Sequence, residues 1–221
     1  MGGLALAVLS FVLSHELLSH PLRRPLVERL GERGFLGLYS IVAFATFGWI
    51  IVEFRDAPDD LLWVAPAWGW TVGAVIMFIA SVLFVGSLTA PNPALPMAGG
   101  RLVTSPKPQG VLRLTRHPMM WSFALWALVH AWVSGRTAVV ILAAGIGVLA
   151  LFGAAMQDRK KTGIHGERWL AWRAATSFVP FGRGAIWPGW IAVVGGTILF
   201  LVATWAHPQL GGPVVGVWSG Q

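Results

Sequence analysis

Two stretches of this 221-residue chain, 61–100 and 184–221, contain no Asp, Glu, Lys or Arg. A run of about 20 apolar residues is what a helix needs to cross a hydrocarbon core of about 30 Å. Hydrophobic residues make up 56% of the chain and charged residues 11%, more apolar surface than a water-soluble domain of this size can hide. Tryptophans fall near the ends of the apolar runs, at Trp63, Trp68, Trp70, Trp187, Trp190 and Trp205, as in the interfacial belt of a bilayer protein. The expectation is an all-α, polytopic integral membrane helix bundle.

Hydropathy and punctuation predict six transmembrane helices, over 2–19, 35–54, 67–90, 119–134, 137–157 and 185–206. Pro118 is placed in the first turn of the fourth span, where a missing N–H costs nothing. Ser134-Gly135-Arg136 reads as a tight turn joining spans four and five as an antiparallel hairpin. The segment 91–112, rich in Pro and Gly, reads as a loop, and 55–66 as an acidic outer-surface segment. The stretch 158–180 mixes charges with Trp169, Leu170 and Trp172, the pattern of an interfacial amphipathic helix. No internal repeat or separate soluble domain is visible, so residues 1–221 form a single transmembrane domain.

Charge orients the bundle. The loops 20–34, 91–117 and 158–184 carry fourteen of the sixteen basic residues, and only Arg55 and Arg136 fall on the other side, with Glu53, Asp56, Asp59 and Asp60. The positive-inside rule then places both termini outside, in a multi-pass protein of a bacterial inner membrane. The start Met1-Gly2-Gly3 has no basic region and reads as a retained first span. The net charge of +7 belongs to loops that meet anionic membrane lipid, which argues against nucleic acid as a partner. The absence of cysteine excludes disulfides, Cys-based zinc sites, Fe–S clusters and covalently attached haem.

His15 and His130 lie inside apolar spans. An imidazole in hydrocarbon is costly unless it is paired or holds something, and histidine is the commonest protein ligand for metals and haem iron. The plainer alternative for each is a hydrogen bond to a neighbouring helix. His130 stands among Trp126, Ala127, Leu128, Val129 and Trp132, which offer no polar partner in the sequence. His15 is flanked by Ser14 and Glu16; Glu16 either snorkels to the interface or orients a neighbouring group. Arg116 and His117 sit at the start of the fourth span, where cations at a helix N-terminus suit phosphate, carboxylate or a haem propionate, or else a lipid headgroup. His20 reads as interfacial, and His165 and His207 as loop or span-end residues without a role. There is no HExxH motif, no His pair at i,i+4 and no carboxylate cluster in the spans. Haem iron needs only one His from each of two helices, and a helix bundle offers a place between them.

Several segments together resemble the NnrU family of bacterial membrane proteins, which includes the 15-cis-zeta-carotene isomerases of plants and cyanobacteria. They are Ser14-His15, Leu30-Gly31-Glu32-Arg33-Gly34-Phe35 with Leu38-Tyr39-Ser40, Arg116-His117-Pro118-Met119, Trp126-Ala127-Leu128-Val129-His130, and Trp172 through Phe181. The resemblance implies haem b bound through iron by two histidines, matching His15 and His130. With haem bound, the cationic residues Arg116, His117 and Arg173 are the expected anion or propionate partners. It implies an apolar polyene substrate in the isomerase branch and a link to nitric-oxide and nitrite metabolism in the bacterial members. The isomerase branch has a cysteine one turn before the second histidine; here that position is Ala127, so no thiolate can exchange with the histidine. His130 lies roughly 16 Å into its span and His15 close to the other end of its own. A shared iron therefore requires tilted spans or a first helix continuing toward Leu18–Pro21.

Two other readings fit parts of the sequence. Arg116-His117-Pro118 followed by Gly166-Glu167-Arg168-Trp169 resembles integral-membrane methyltransferases, in which His117 and Glu167 would hold S-adenosylmethionine. A membrane assembly factor without chemistry is the third. The charge split makes the topology testable: a periplasm-dependent reporter fused after Gln221 is expected to be active, and activity of a cytoplasm-dependent reporter there would contradict the six-span reading.

Overall fold

A computed structural model describes residues 1–90, 93 and 107–218. Arg101 and most of the expected 91–112 loop lie outside the described residues. All regular structure among the described residues is helical: α1 (Gly2–Ser19), α2 (Arg23–Arg55), α3 (Ala67–Thr89), α4 (Pro118–Ser134), α5 (Thr137–His165), α6 (Glu167–Ala175) and α7 (Trp190–Gln209), with short 3₁₀ turns at Gly110–Arg113 and Gly216–Trp218. Five of them, α1, α2, α3, α5 and α7, are long and apolar enough to cross a membrane. The expected fourth span, α4, has 17 residues. The chain is a multi-pass helical membrane protein. Its outward faces carry large apolar side chains such as Phe44, 77% exposed, and Ile191, 70% exposed, as lipid contact requires.

The expected spans recur with shifted ends. The loop expected over 20–34 is largely helical, because Arg23–Arg55 forms one element interrupted only at Gly31, whose φ of 70° and ψ of 168° break the helical path. Pro25 falls in the first turn, and Arg24 pairs with Glu28 at i,i+4 (2.9 Å), so a charged, helix-favouring stretch propagates until Gly31. Helix α5 runs past the expected end at 157 to His165, because Asp158–Thr162 contains no helix breaker and Lys160, Lys161 and His165 suit a helix C-terminus. Helix α7 begins at Trp190 rather than 185, since Pro188 and Gly189 (φ 97°) precede it. The amphipathic stretch within 158–180 forms α6, but its two tryptophans turn inward: Trp169 is fully buried and Trp172 nearly so, both against Leu112.

The strongest pairings run α2–α1–α5–α4–α3–α7. Lipid gives no hydrophobic drive between such helices, so small residues that let backbones approach carry the packing. Gly145 of α5 lies against Val8 of α1, and a Cβ on Gly196 of α7 would stand 2.6 Å from the Cα of Val82 on α3. Val8 against Gly145 and Glu16 against Gly153 set α1 parallel to α5, while Ala127 against Gly147 sets α4 antiparallel to it. The starts of α2 and α4, the ends of α1 and α5, and α6 thus share one basic end.

At the opposite end the acidic segment folds onto the α4–α5 turn. Leu62 N–H donates to Gly135 O (2.8 Å), Thr137 N–H to Asp60 O (2.9 Å) and Trp63 Nε1–H to Trp132 O (2.7 Å), while Arg136 pairs with Asp59. Gly135 is required twice, by its φ of 64° and by the Trp63 carbonyl that a Cβ would strike. Gly135→Ala is therefore expected to destabilise the protein by more than about 1 kcal/mol, read as a lower melting temperature in detergent. Gly163→Ala, where a Cβ meets nothing within 4 Å, should leave stability unchanged or slightly raised.

Candidate functional site

The two sequence segments at Arg116-His117-Pro118 and Trp172–Phe181 meet at the basic end. The 3₁₀ turn at Gly110–Arg113 delivers Leu114, Thr115 and Arg116 alongside 177–181. Arg116 N–H donates to Ser177 O (2.9 Å), Phe181 N–H to Leu114 O (3.1 Å), and both Thr115 Oγ1–H (2.7 Å) and Trp121 Nε1–H (2.8 Å) donate to Phe178 O. His117 then caps α4, its N–H reaching Thr115 Oγ1 at 3.2 Å, and Pro118 takes the first helical position as expected.

This places Arg116 and His117 on Asp158 of α5. Arg116 donates Nε–H to Oδ1 (3.1 Å) and Oδ2 (2.9 Å) and Nη2–H to Oδ2 (2.6 Å), and His117 Nε2 lies 2.9 Å from Oδ1. The Arg116 and Asp158 side chains are 8% and 10% exposed and that of His117 is fully buried. Phe178 covers the group, with the Arg116 guanidinium carbon 5.3 Å from its ring centre and the His117 ring edge-on at 5.3 Å. Arg173 stands at the rim, half-exposed, its Nε 3.9 Å from Asp158 Oδ2. The anion expected at Arg116, His117 and Arg173 is thus met by the protein's own carboxylate.

Three nitrogens around this cluster are buried without a hydrogen-bond partner: His117 Nδ1, Trp169 Nε1 and Trp172 Nε1. Leaving a buried polar atom unpaired costs about 1–3 kcal/mol, so each is a position for an acceptor or an ordered water. Glu167, the acid of the methyltransferase reading, is exposed at the first position of α6, and the acid facing His117 is Asp158 instead.

The two histidines expected inside spans, on α1 and α4, have separate surroundings. His15 Nδ1 lies 2.8 Å from Phe11 O, with its ring against Phe11 (4.1 Å) and edge-on to Tyr39 (5.3 Å). His130 Nδ1 lies 2.9 Å from Trp126 O; the ring stacks on Trp126 at 4.2 Å and stands 6.0 Å from that of His207. A ligating histidine characteristically donates its other N–H to a carbonyl or carboxylate, so each ring alone has the orientation of a ligand through Nε2. The helix contacts above put the Cα of His15 level with about residue 152 of α5 and that of His130 with about residue 144, about 12 Å apart along its axis. His20, beyond the end of α1, pairs with Glu16 at 3.2 Å; burial first and then Lys160 hold it below the ordinary histidine pKa.

Asp158 escaped the sequence reading, and Phe178 entered it only as part of the segment Trp172–Phe181. Asp158 has a signal in retrospect: it is a lone acid at the end of a span, opposite the arginines of another loop.

These features define a multi-pass helical membrane protein whose fourth helix is pinned by a buried Arg-His-Asp cluster. The chain belongs to the NnrU family, whose profile (NnrU protein) matches residues 3–215. It is similar to the chloroplastic 15-cis-zeta-carotene isomerase of Zea mays, at 34% identity over 115 residues, 46% of this chain and 31% of that protein. It is also similar to that of Arabidopsis thaliana, at 38% over 74 residues, 33% of this chain and 20% of that protein. The matches thus span less than a third of either relative. No solved structure matches the chain.

Removing one partner of a buried ion pair leaves the other uncompensated and costs about 3–5 kcal/mol. Asp158→Ala is expected to destabilise by that order in SDS-driven unfolding from mixed micelles. The double variant Arg116→Met with Asp158→Leu should lose less than the sum of the single variants. A loss in Asp158→Ala under about 1 kcal/mol, as for an exposed pair, would contradict the buried cluster.

Proposed function

We propose that this chain takes up an apolar polyene from within the bilayer and catalyses its cis–trans isomerisation, with haem b as cofactor. The observation that carries the reading is a groove of about 680 Å³ between α4 and α5. Its lining has no charged or hydroxyl side chain, and Ala127, Ala131, Ala143, Gly147 and Ala155 recess the helix surfaces to form it. The groove is shallow and largely open along the outer side of the two helices, a surface along which an extended apolar chain can lie. A polyene has no hydrogen-bonding groups, so a site for it must act by shape and leave no polar atom unpaired. The resemblance in sequence to 15-cis-zeta-carotene isomerases supports the same substrate class.

The polar clusters hold the walls of this groove. Asp158 follows Ala155 by one turn of α5, and its bonds to Arg116 and His117 tie the end of α5 to the start of α4. At the other end the Gly135 turn and segment 57–66 tie the same helices together.

Haem b, when bound, supplies an iron able to perturb a double bond, which is the cofactor's own chemistry. His130 is its proposed ligand on α4, through the Nε2 left free by the bond at Nδ1. In this reading α4 completes six crossings, both termini face away from the basic loops, and the protein resides in a bacterial inner membrane.

The test is conversion of 15-cis-zeta-carotene, in the dark, by haem-loaded protein in lipid vesicles, followed by chromatography. Conversion by the wild type and at least about tenfold slower conversion by Gly147→Leu, which fills the groove, are expected. Wild-type conversion by Gly147→Leu would show that the groove is not the site, and no conversion by haem-loaded wild type would overturn the isomerase reading.

A further inference from the structure

We propose that Arg23, Lys160 and Lys161, at the corner where the end of α1, the start of α2 and the end of α5 meet, form a site for the phosphate of an anionic phospholipid. The site is separate from the groove and does not depend on the proposed function.

The break at Gly31 builds this corner. In an uninterrupted helix nine residues advance about 13.5 Å along the axis, too far for Arg23 to pair with Glu32. With φ of 70° and ψ of 168° at Gly31, the chain before it folds back toward the chain after it, and Arg23 Nη2–H donates to Glu32 Oε1. The Arg23 guanidinium carbon also stands 5.3 Å from the ring centre of Phe35, which is buried. A carboxylate and an aromatic face thus hold this cation in place before any ligand arrives.

Two lysines of α5 face it. Lys160 Nζ–H donates to Ser19 O at 3.4 Å, at the last residue of α1. Lys160 and Lys161 repel each other, Arg23 repels both, and Lys160 bears on His20. The acids at the corner are already engaged, Glu32 with Arg23 and Glu16 with His20 at 3.2 Å. Lys161 makes no hydrogen bond or ion pair among the described residues.

Burial sets these three cations apart. Arg24, Arg29, Arg33, Arg159 and Arg168 at the same end are exposed, whereas Arg23, Lys160 and Lys161 are half-buried. Water and salt screen exposed like charges far better than half-buried ones. Three cations drawn together with one carboxylate between them leave positive charge that an anion from outside would neutralise. Arg116 has Asp158 for that purpose; Lys160 and Lys161 have no such residue among the described ones. The surroundings select a lipid as the source. Leu17 and Leu22 flank the corner and Ile164 follows Lys160 by one turn, all three exposed. A free phosphate ion makes no use of apolar surface, whereas acyl chains below a bound headgroup cover it. Basic pockets between helices at the membrane surface are a recurrent form of headgroup recognition.

The experiment titrates detergent-purified protein with phosphatidylglycerol and, separately, with phosphatidylcholine, counting bound lipids by native mass spectrometry. Each basic residue beside an anionic headgroup is worth about fivefold in affinity. Lys160→Gln with Lys161→Gln is therefore expected to weaken phosphatidylglycerol binding by about 25-fold and to leave phosphatidylcholine binding unchanged. Lys161→Gln alone, which removes no bond within the protein, should cost about fivefold with an unaltered circular dichroism spectrum. Lys160→Arg with Lys161→Arg should bind as the wild type does. Arg24→Gln with Arg29→Gln takes the same charge from the same end and should keep the tightest-bound lipid. An equal loss in the two glutamine double variants would show a diffuse field rather than a site and overturn the proposal, as would equal affinity of the wild type for both lipids. Displacement of phosphatidylglycerol by an equal concentration of inorganic phosphate would assign the corner to a free ion and overturn the lipid.

Discussion

A carboxylate and a guanidinium withdrawn from water each carry a desolvation penalty of several kcal/mol, which only close, multiply hydrogen-bonded contact offsets. Asp158 meets that condition by accepting from Arg116 at two nitrogens and contacting His117 with the other side of its carboxylate. The rest of the basic end follows from this contact. Arg116 and His117 reach α5 only because the chain before α4 lies against 177–181, and that pairing in turn holds Phe178 over the two cations. Trp169 and Trp172 of α6 close the same region against Leu112. Loss of the carboxylate would leave a buried guanidinium at the point where four chain segments join.

The middle of the molecule obeys different physics. Among helices surrounded by hydrocarbon, association depends on close backbone approach. Gly145 against Val8 and Gly196 against Val82 provide it for α5 with α1 and for α7 with α3. α4 and α5 approach closely as well, with Ala127 against Gly147, and the apolar groove runs along the open side of that seam. Their ends are joined besides by directional bonds: the Asp158 cluster on one side and the Gly135 turn on the other.

The helices were legible from sequence because apolar length and composition determine them almost alone. Pro118 and Gly135 occupy the positions expected of a first-turn proline and a tight-turn glycine. What failed was the reading of charge. The run Arg23–Arg33 looks like a solvated loop, yet it is helix up to Gly31, since charged residues with good helix propensity do not reveal whether they are coiled. The segment around Trp169 and Trp172 has the amphipathic pattern of a surface helix. Its apolar side meets Leu112 rather than lipid, and both partners satisfy the same pattern. Asp158 and Arg116 are 42 positions apart, one on α5 and the other in the chain before α4, so no periodicity links them.

The two ends differ in how much polar capacity they leave free. At the basic end Arg116 and Asp158 satisfy each other, and a group so committed has little left to offer a substrate. A polyene, moreover, has no proton to exchange in a cis–trans rotation, so acid–base catalysis of the kind a His-Asp pair provides has nothing to act on. What such a rotation requires is a change in π-bond order, and protein side chains alone are poor at that, which is why cofactors carry such chemistry. The side chains that can bind a metal cofactor without first losing an existing bond are imidazoles with a carbonyl at Nδ1 and a free Nε2. His15, His130 and His207 have that form. On the proposed reading the chain therefore separates its tasks: the Arg116–His117–Asp158 cluster joins the ends of the helices that flank the groove, and His130 holds the cofactor.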